Sequence, residues 1–428
     1  MTLLRTLAGL GAAWLIAGTA TGKTWEVCPS CPISSLRAAI ERAAAHDTIY
    51  LAAGRYFEHD LLIRKPLTII GPREAIIDGQ NKGGVFQVSA DSFTLKGIAI
   101  RNVSFSELEE NSAITLLRCT HYHLEDLHID SVYFGILVEN SDSGVVRNCV
   151  IRSSTSGTDE ATMGNGIHLW KCENALIADN YVTGMRDGIY FEFVQHSTIE
   201  RNVSKGNLRY GLHFMFSNHD VYRNNRFENN GAGVAVMFSR NIEMYGNTFI
   251  HNWGNNAYGL LLKEIYDGVI QHNHFIRNTV AVQNEGSVRI RYEENDFYFN
   301  GWAVNYMGGA YDNYFHHNNF VGNTFEVSYF GRPNNNRFEE NYWSKYNGYD
   351  LNRDGLGDVP HYPVDLFTYL AHEVNESIIL LRSLFVTLLS FAEKVAPVLT
   401  PDDIYDPTPL MNLWHWSDST TSTSALVR

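Results

Sequence analysis

An asparagine returns along this sequence at Asn148, Asn180, Asn202, Asn225, Asn247, Asn273, Asn295, Asn318 and Asn341. Most steps are 22 or 23 residues, and two are longer, 32 and 26. From Asn225 onward an aromatic residue follows two places later: Phe227, Phe249, Phe275, Phe297, Phe320 and Trp343. A glycine-led apolar phrase keeps step with it: GILVE from Gly135, GIHLW from Gly166, GIYFE from Gly188, GLHFM from Gly211, GVAVM from Gly233 and GLLLK from Gly259. A unit this short cannot bury its apolar face alone, so its copies must stack. Short β-type phrases in such a period make a coil of about three strands and three turns, with coils about 4.8 Å apart. The recurring Asn then becomes an amide ladder, with the aromatics stacked beside it inside the tube. The expected fold is all-β, a right-handed parallel β-helix of about ten coils over residues 59–348. Leucine-rich repeats have a similar period, but their leucine spacing is absent.

The rest of the chain is read as follows. Residues 1–22 form an export signal, with Arg5 as the positive region and Leu7 to Ala17 as a short apolar stretch. Residues 23–58 are an N-terminal segment in which Ser34 to Asp47 makes a capping helix, with Leu36, Ile40 and Ala44 on one face. Residues 349–363 are an Asp/Gly-rich loop. Residues 364–412 form a helical and extended region whose helical part caps the tube or, being more apolar than a cap requires, equally serves as a docking region for a membrane protein. Residues 413–428 form a disordered or non-native tail.

A net charge of −14 makes nucleic acid a poor partner. The export signal puts the mature chain in the periplasm, in contact with membrane only through a partner. Cys28 and Cys31 form a C-x-x-C pair, read as a small disulfide loop or else as a metal site. Cys119, Cys149 and Cys172 are isolated and expected to be buried.

Strand alternation picks out the candidate site. In the glycine-led phrase, Ile167, Leu169, Ile189, Phe191, Leu212, Phe214, Val234 and Val236 must point inward, because the opposite parity would bury charged groups. The outward fourth-position ladder is then Leu117, Glu139, Trp170, Glu192, Met215, Met237, Lys263, Glu285, Met307 and Phe330. Met215 and Met237 fall on adjacent coils, and His213 shares the strand and face of Met215. Two thioethers and an imidazole make a soft donor set suited to Cu(I). Glu192 and His168 are candidate outer partners. Asp350, Asn352, Asp354 and Asp358 take early positions of a calcium loop, but His361 stands where the bidentate acid belongs, so a plain Asx-rich turn is an equal reading.

The phrases RYGLHFMFSNHD from Arg209, GVAVMFSRN from Gly233, YGLLLKEI from Tyr258, NYWSKYNGYDLNRDGLGDVP from Asn341 and VLTPDDIYDPTPLM from Val398 resemble the NosD family. These are periplasmic accessory proteins in maturation of the copper enzyme nitrous-oxide reductase. The resemblance spans nearly all of the mature chain. It implies a non-enzymatic role in copper (or sulfur) delivery to that enzyme beside an ABC transporter made of NosF and NosY, and the copper lipoprotein NosL, with the ATPase on a separate chain. The matching phrases carry His213, Met215 and Met237 with them. The alternative readings are a polysaccharide-active β-helix enzyme (lyase, hydrolase or epimerase) and a scaffold that handles no metal. Glu192 and Glu285 lie four coils apart, roughly 19 Å, beyond the roughly 5 to 9.5 Å of a glycosidase acid pair.

Overall fold

The computed structural model describes residues 22–106, 109–153, 163–329, 335–373, 375–381, 383–395 and 403–415. The expected export segment lies outside them except for Gly22. Among the described residues, three parallel sheets of 14, 12 and 13 strands span Thr24 to Trp343, and each strand pairs with its counterpart one coil away. This is a parallel β-helix of about thirteen turns. Its core is the interior of the tube, where Ile136, Leu169, Ile189, Phe214, Val236 and Leu262 are fully buried.

The amide ladder is real, with one correction at its start. Asn180, Asn202, Asn225, Asn247, Asn273, Asn295, Asn318 and Asn341 are all buried. From Asn202 onward each side-chain oxygen accepts from the backbone N–H and the amide of the Asn one coil earlier, as Asn247 does from Asn225 at 3.0 and 2.9 Å. Asn148 is not a member; it lies exposed in a left-handed turn with φ 54°. Cys149 takes the ladder position and donates its N–H to Asn180 at 3.0 Å. In the two coils before it, Leu127 and Ile98 hold that place. The aromatics stack as expected: Phe227, Phe249, Phe275, Phe297, Phe320 and Trp343 follow at centroid spacings of 4.1 to 5.5 Å.

The winding begins at Thr24–Val27, which pairs with Thr48–Leu51, so the solenoid starts well before residue 59. These early coils are built on aliphatic residues in place of Asn, which is why counting asparagines gave about ten coils. The capping helix, α1, is shorter than expected: Leu36–Arg42, with Ser35 accepting from Ala38. Glu58 from the first coil accepts from the N–H groups of Leu36 and Arg37 at 2.6 and 2.8 Å, satisfying the helix N-terminus. Leu36, Ala39 and Ile40 close the tube. Ala44 lies beyond the helix and is exposed, and Ala43 is buried instead.

At the far end the chain returns to seal the last coil. Asp406 is fully buried. Its Oδ2 accepts from the Asn341 N–H at 2.9 Å, the Asn341 amide at 3.1 Å and the Trp343 indole at 3.0 Å. The carboxylate thus stands where the next Asn oxygen would be and terminates the ladder. Leu410 bridges to Tyr342, and the Leu410 N–H donates to Asn341 at 2.9 Å. Part of the region expected to serve docking therefore belongs to the solenoid's closure. Two helices, α2 (Leu366–Glu373) and α3 (Leu384–Val395), follow the loop. Phe367 and Ala371 of α2 pack on Phe325, whereas Leu384, Phe385, Leu388 and Phe391 of α3 are exposed. Among the described residues no helix is long and apolar enough to cross a membrane.

Candidate metal centre

The outward ladder forms in the register that alternation predicts. In the twelve-stranded sheet Leu117, Glu139, Trp170, Glu192, Met215, Met237, Lys263, Glu285 and Met307 pair in succession. Phe330 lies outside the described residues. Met215 and Met237 are direct neighbours and half-buried. Glu192 flanks them on one side and Lys263 on the other. The Lys263 ammonium reaches Glu285 at 3.8 Å. Glu192 and Glu285 are four strands apart, so no glycosidase pair forms from them.

His213 sits beside Ala235 in the next coil, on the same face as Met215. It points away from the tube, yet it is only 5 % exposed. The rings of Tyr190 and Tyr210 cover it, each 4.8 Å away between centroids. Nδ1 lies 3.6 Å from Asp187 and 3.5 Å from the Arg209 guanidinium. Nε2 is buried with no hydrogen-bond partner among the described residues. Leaving such an atom unpaired costs about 1–3 kcal/mol. A ligand at Nε2 would recover that cost, while Asp187 steadies the other nitrogen, the usual arrangement behind a metal-bound histidine. Burial pushes the Asp187 carboxyl up, but hydrogen bonds and charge from Arg209 and His213 outweigh it, and Asp187 stays below its ordinary value.

His168 is not brought to the methionines. The Tyr190 ring stands between it and His213, at 4.6 Å from one and 4.8 Å from the other. Burial, then the nearby Arg186, lowers His168 to about 4, so its ring is neutral. Both of its nitrogens are buried and have no hydrogen-bond partner among the described residues. Tyr190 is the nearer partner: its hydroxyl lies 3.4 Å from Glu192 and 3.9 Å from the Met215 sulfur. Burial and Glu192 raise Tyr190 to about 12, so it remains a donor.

Sequence reasoning passed over a second ladder beside the sulfur atoms. Phe193, Phe216 and Phe238 directly follow Glu192, Met215 and Met237, and stack at 5.1 and 5.2 Å. Phe193 and Phe216 are exposed and Phe238 is half-buried. Each lies in a left-handed turn, with φ of 55°, 51° and 54°. The signal was present in the phrases FEF, FMF and VMF. Other coils place Lys171, Glu264 and Gly286 at the equivalent turn, so aromatic rings there serve the surface and not the fold.

The remaining candidates lie elsewhere. Cys28 and Cys31 are joined as a disulfide, which leaves no thiolate to bind metal. Cys119, Cys149 and Cys172 are buried free thiols. Burial raises Cys149 to about 12 and Cys172 to about 11, so both stay protonated. Asp350, Asn352, Asp354 and Asp358 fold as an Asx-rich turn. Asp350 accepts from the N–H groups of Arg353 and Gly355, Asn352 from Asp354, Asp354 from Leu356, and Asp358 from Leu351. The expected acid position, His361, pairs with Glu326 at 2.9 Å instead.

Residues 158–348 match the family model described as "Periplasmic copper-binding protein (NosD)". The chain is 28 % identical to a "Probable ABC transporter binding protein NosD" of Pseudomonas aeruginosa, over 96 % of this chain and 97 % of that one. It is 27 % identical to the protein of the same name in Stutzerimonas stutzeri, over 85 % and 86 %. Over these residues the chain is similar to the NosD family. The matched stretch contains His168, Glu192, His213, Met215, Met237 and the Phe193–Phe216–Phe238 ladder, and leaves out the cysteine pair and the Asx-rich turn. Among solved structures, the N-terminal fragment of bacteriophage Phi29 gene product 12 shares the fold, with a TM-score of 0.55 and 12 % identity. That match covers 72 % of this chain and 62 % of the phage chain.

Proposed function

We propose that this chain is a periplasmic copper-handling protein and not an enzyme. It passes Cu(I) toward nitrous-oxide reductase in company with an ABC transporter. The observation that carries this reading is the pairing of Met215 with Met237 beside a buried His213 whose Nε2 has no partner among the described residues. Two thioethers on neighbouring coils and one imidazole match the softness of Cu(I) and suit neither calcium nor magnesium. Copper is cargo here, so a half-buried, three-donor site fits better than a closed one. Glu192 and Tyr190 flank Met215 as outer partners, and the stacked phenylalanines offer a protein donor or acceptor an apolar footing next to the sulfur. The exposed apolar side of α3 suits a membrane subunit such as NosY. ATP hydrolysis belongs to a separate chain such as NosF, and NosL is the candidate copper donor.

The test is anaerobic Cu(I) titration of the purified mature protein against a competing chelator. Changing Met215 and Met237 together to Leu conserves volume and should leave the fold intact. That variant should lose Cu(I) binding and fail to support maturation of the reductase. Cu(I) binding equal to the parent's would refute the site.

A further inference from the structure

Three turns beyond Met237, and on a different sheet, a second set of metal-ligand side chains converges. The strand Tyr314–His316 ends where His317 adopts a left-handed conformation, φ 55°. Alternation along a strand would send neighbouring side chains to opposite faces. The left-handed residue reverses that, so both imidazoles lie together, with centroids 3.6 Å apart and planes at 32°. One coil later Glu340 occupies the same kind of turn, φ 54°. One of its oxygens lies 3.0 Å from His317 Nε2 and 3.5 Å from His316 Nε2. All three ligand atoms lie within 4.8 Å of one another.

His317 and Glu340 are at hydrogen-bonding distance, and the same spacings suit a coordination shell. Ligands about 2.0 to 2.1 Å from a tetrahedral ion stand roughly 3.3 Å from each other, between the two distances found. The site is also covered. The Trp414 ring stacks on His317 at 3.5 Å and 15°. It is anchored there because the Trp414 N–H donates to Asn319 at 2.9 Å and the Asn319 amide donates back to the Trp414 carbonyl at 3.0 Å. Trp414, expected in a disordered tail, is thus an ordered cover over the imidazole pair.

We propose that His316, His317 and Glu340 bind one divalent ion of the borderline class, Cu(II) ahead of Zn(II), with Trp414 shielding one side. Two imidazoles and a carboxylate favour that class, and copper stands highest in the divalent affinity order. Three protein ligands leave a position open for water or a partner's group. The site is independent of the methionine pair: its donors are harder, and three turns separate the two, roughly 14 Å along the axis.

Aerobic titration with Cu(II) tests this in the Met215→Leu, Met237→Leu background, where the thioether pair is silent. One equivalent should bind with nitrogen hyperfine structure in the electron paramagnetic resonance spectrum and quench tryptophan fluorescence. Zn(II) should compete. His316→Gln with His317→Gln should abolish this signal, and Glu340→Gln should weaken binding about tenfold. Trp414→Phe should retain the ion and lose most of the quenching. An unchanged spectrum and stoichiometry in the double histidine variant would overturn the proposal. So would a parent spectrum without nitrogen ligands, a measurement that needs no variant to fold.

Discussion

Replacing Asp406 with alanine should fray the solenoid from its last coil. The carboxylate is fully buried and accepts from Asn341 N–H, the Asn341 amide and the Trp343 indole through one oxygen. The other oxygen accepts from the N–H groups of Glu340 and Thr408 at 3.1 and 3.2 Å. Alanine strands three donors, the N–H groups of Glu340 and Asn341 and the Trp343 indole, while the Asn341 amide keeps the carbonyls of Phe315 and Glu339 at 3.0 and 3.2 Å. At about 1–3 kcal/mol for each buried, unsatisfied donor the upper bound is large. Water can enter at the end of the tube, so about 1 kcal/mol each is the better figure, near 3 kcal/mol in total. The backbone pair between Asp406 and His361, 2.9 Å each way, survives the change, so the arm loosens but is not severed. Because a solenoid opens locally, hydrogen exchange is the assay: the amide of Asn341 should exchange about 100-fold faster, following 1.4 kcal/mol per tenfold. Asp406→Asn keeps an accepting oxygen in the geometry the ladder already uses, and should cost only about 1 kcal/mol. Unchanged protection at Asn341 in the alanine variant would show that the carboxylate does not terminate the ladder.

Asn247→Ala should cost about 2–4 kcal/mol in denaturant unfolding. It strands the Asn225 N–H and amide and removes a donor to the Tyr222 carbonyl, 2.8 Å away. His168 gives a pH dependence: burial holds it near 4, while the unfolded residue titrates near 6.5. Below 6.5 the unfolded chain takes up a proton that the folded one refuses, so this contribution to stability is present above 6.5 and lost as pH falls toward 4, by roughly 3 kcal/mol. Burial raises Asp220 and makes it act in the opposite sense over the same range, so the measurement is the pH dependence of the difference between His168→Gln and parent; a flat difference would contradict it. Phe216→Ser with Phe238→Ser should preserve Cu(I) binding and the circular dichroism spectrum yet weaken association with a copper-donor protein, read by surface plasmon resonance; unchanged association would remove the phenylalanines from the docking surface.

The sequence exposed the parts of this fold that repeat in identity and hid those that repeat only in role. From Asn180 onward the ladder position is always Asn, so period, register and the Met215–Met237 pairing could be read without coordinates. Before it the same position is Ile98, Leu127 and Cys149, which fill the space without an amide, and the early coils went uncounted. A second ladder, Asn207, Asn230, Asn252, Asn278, Asn300 and Asn323, five residues after the first, was equally regular. It stayed unread because one ladder already explained the period. The Asp406 cap, the Tyr190 wall and the Trp414 cover were not legible. Each depends on a contact across the tube or across tens of residues, and no local pattern encodes it.

The two candidate sites follow from one property of a solenoid. An inward position is fixed by packing against the coils on either side, so its side chain reports on the fold. An outward position has no such duty, so its side chain is free to vary, as Lys171, Phe193, Phe216, Phe238, Glu264 and Gly286 do at one turn. Strand pairing sets each outward residue about 4.8 Å from its counterpart. A soft donor on two successive coils therefore becomes a pair at nearly bridging distance, with no change to the core. Met215 with Met237 uses this along a strand. His317 with Glu340 uses it along a turn, where the left-handed residue also folds His316 back to the same side. The same wall can thus hold a thioether site and an imidazole–carboxylate site a few coils apart, each tuned by single substitutions that leave the ladder inside untouched.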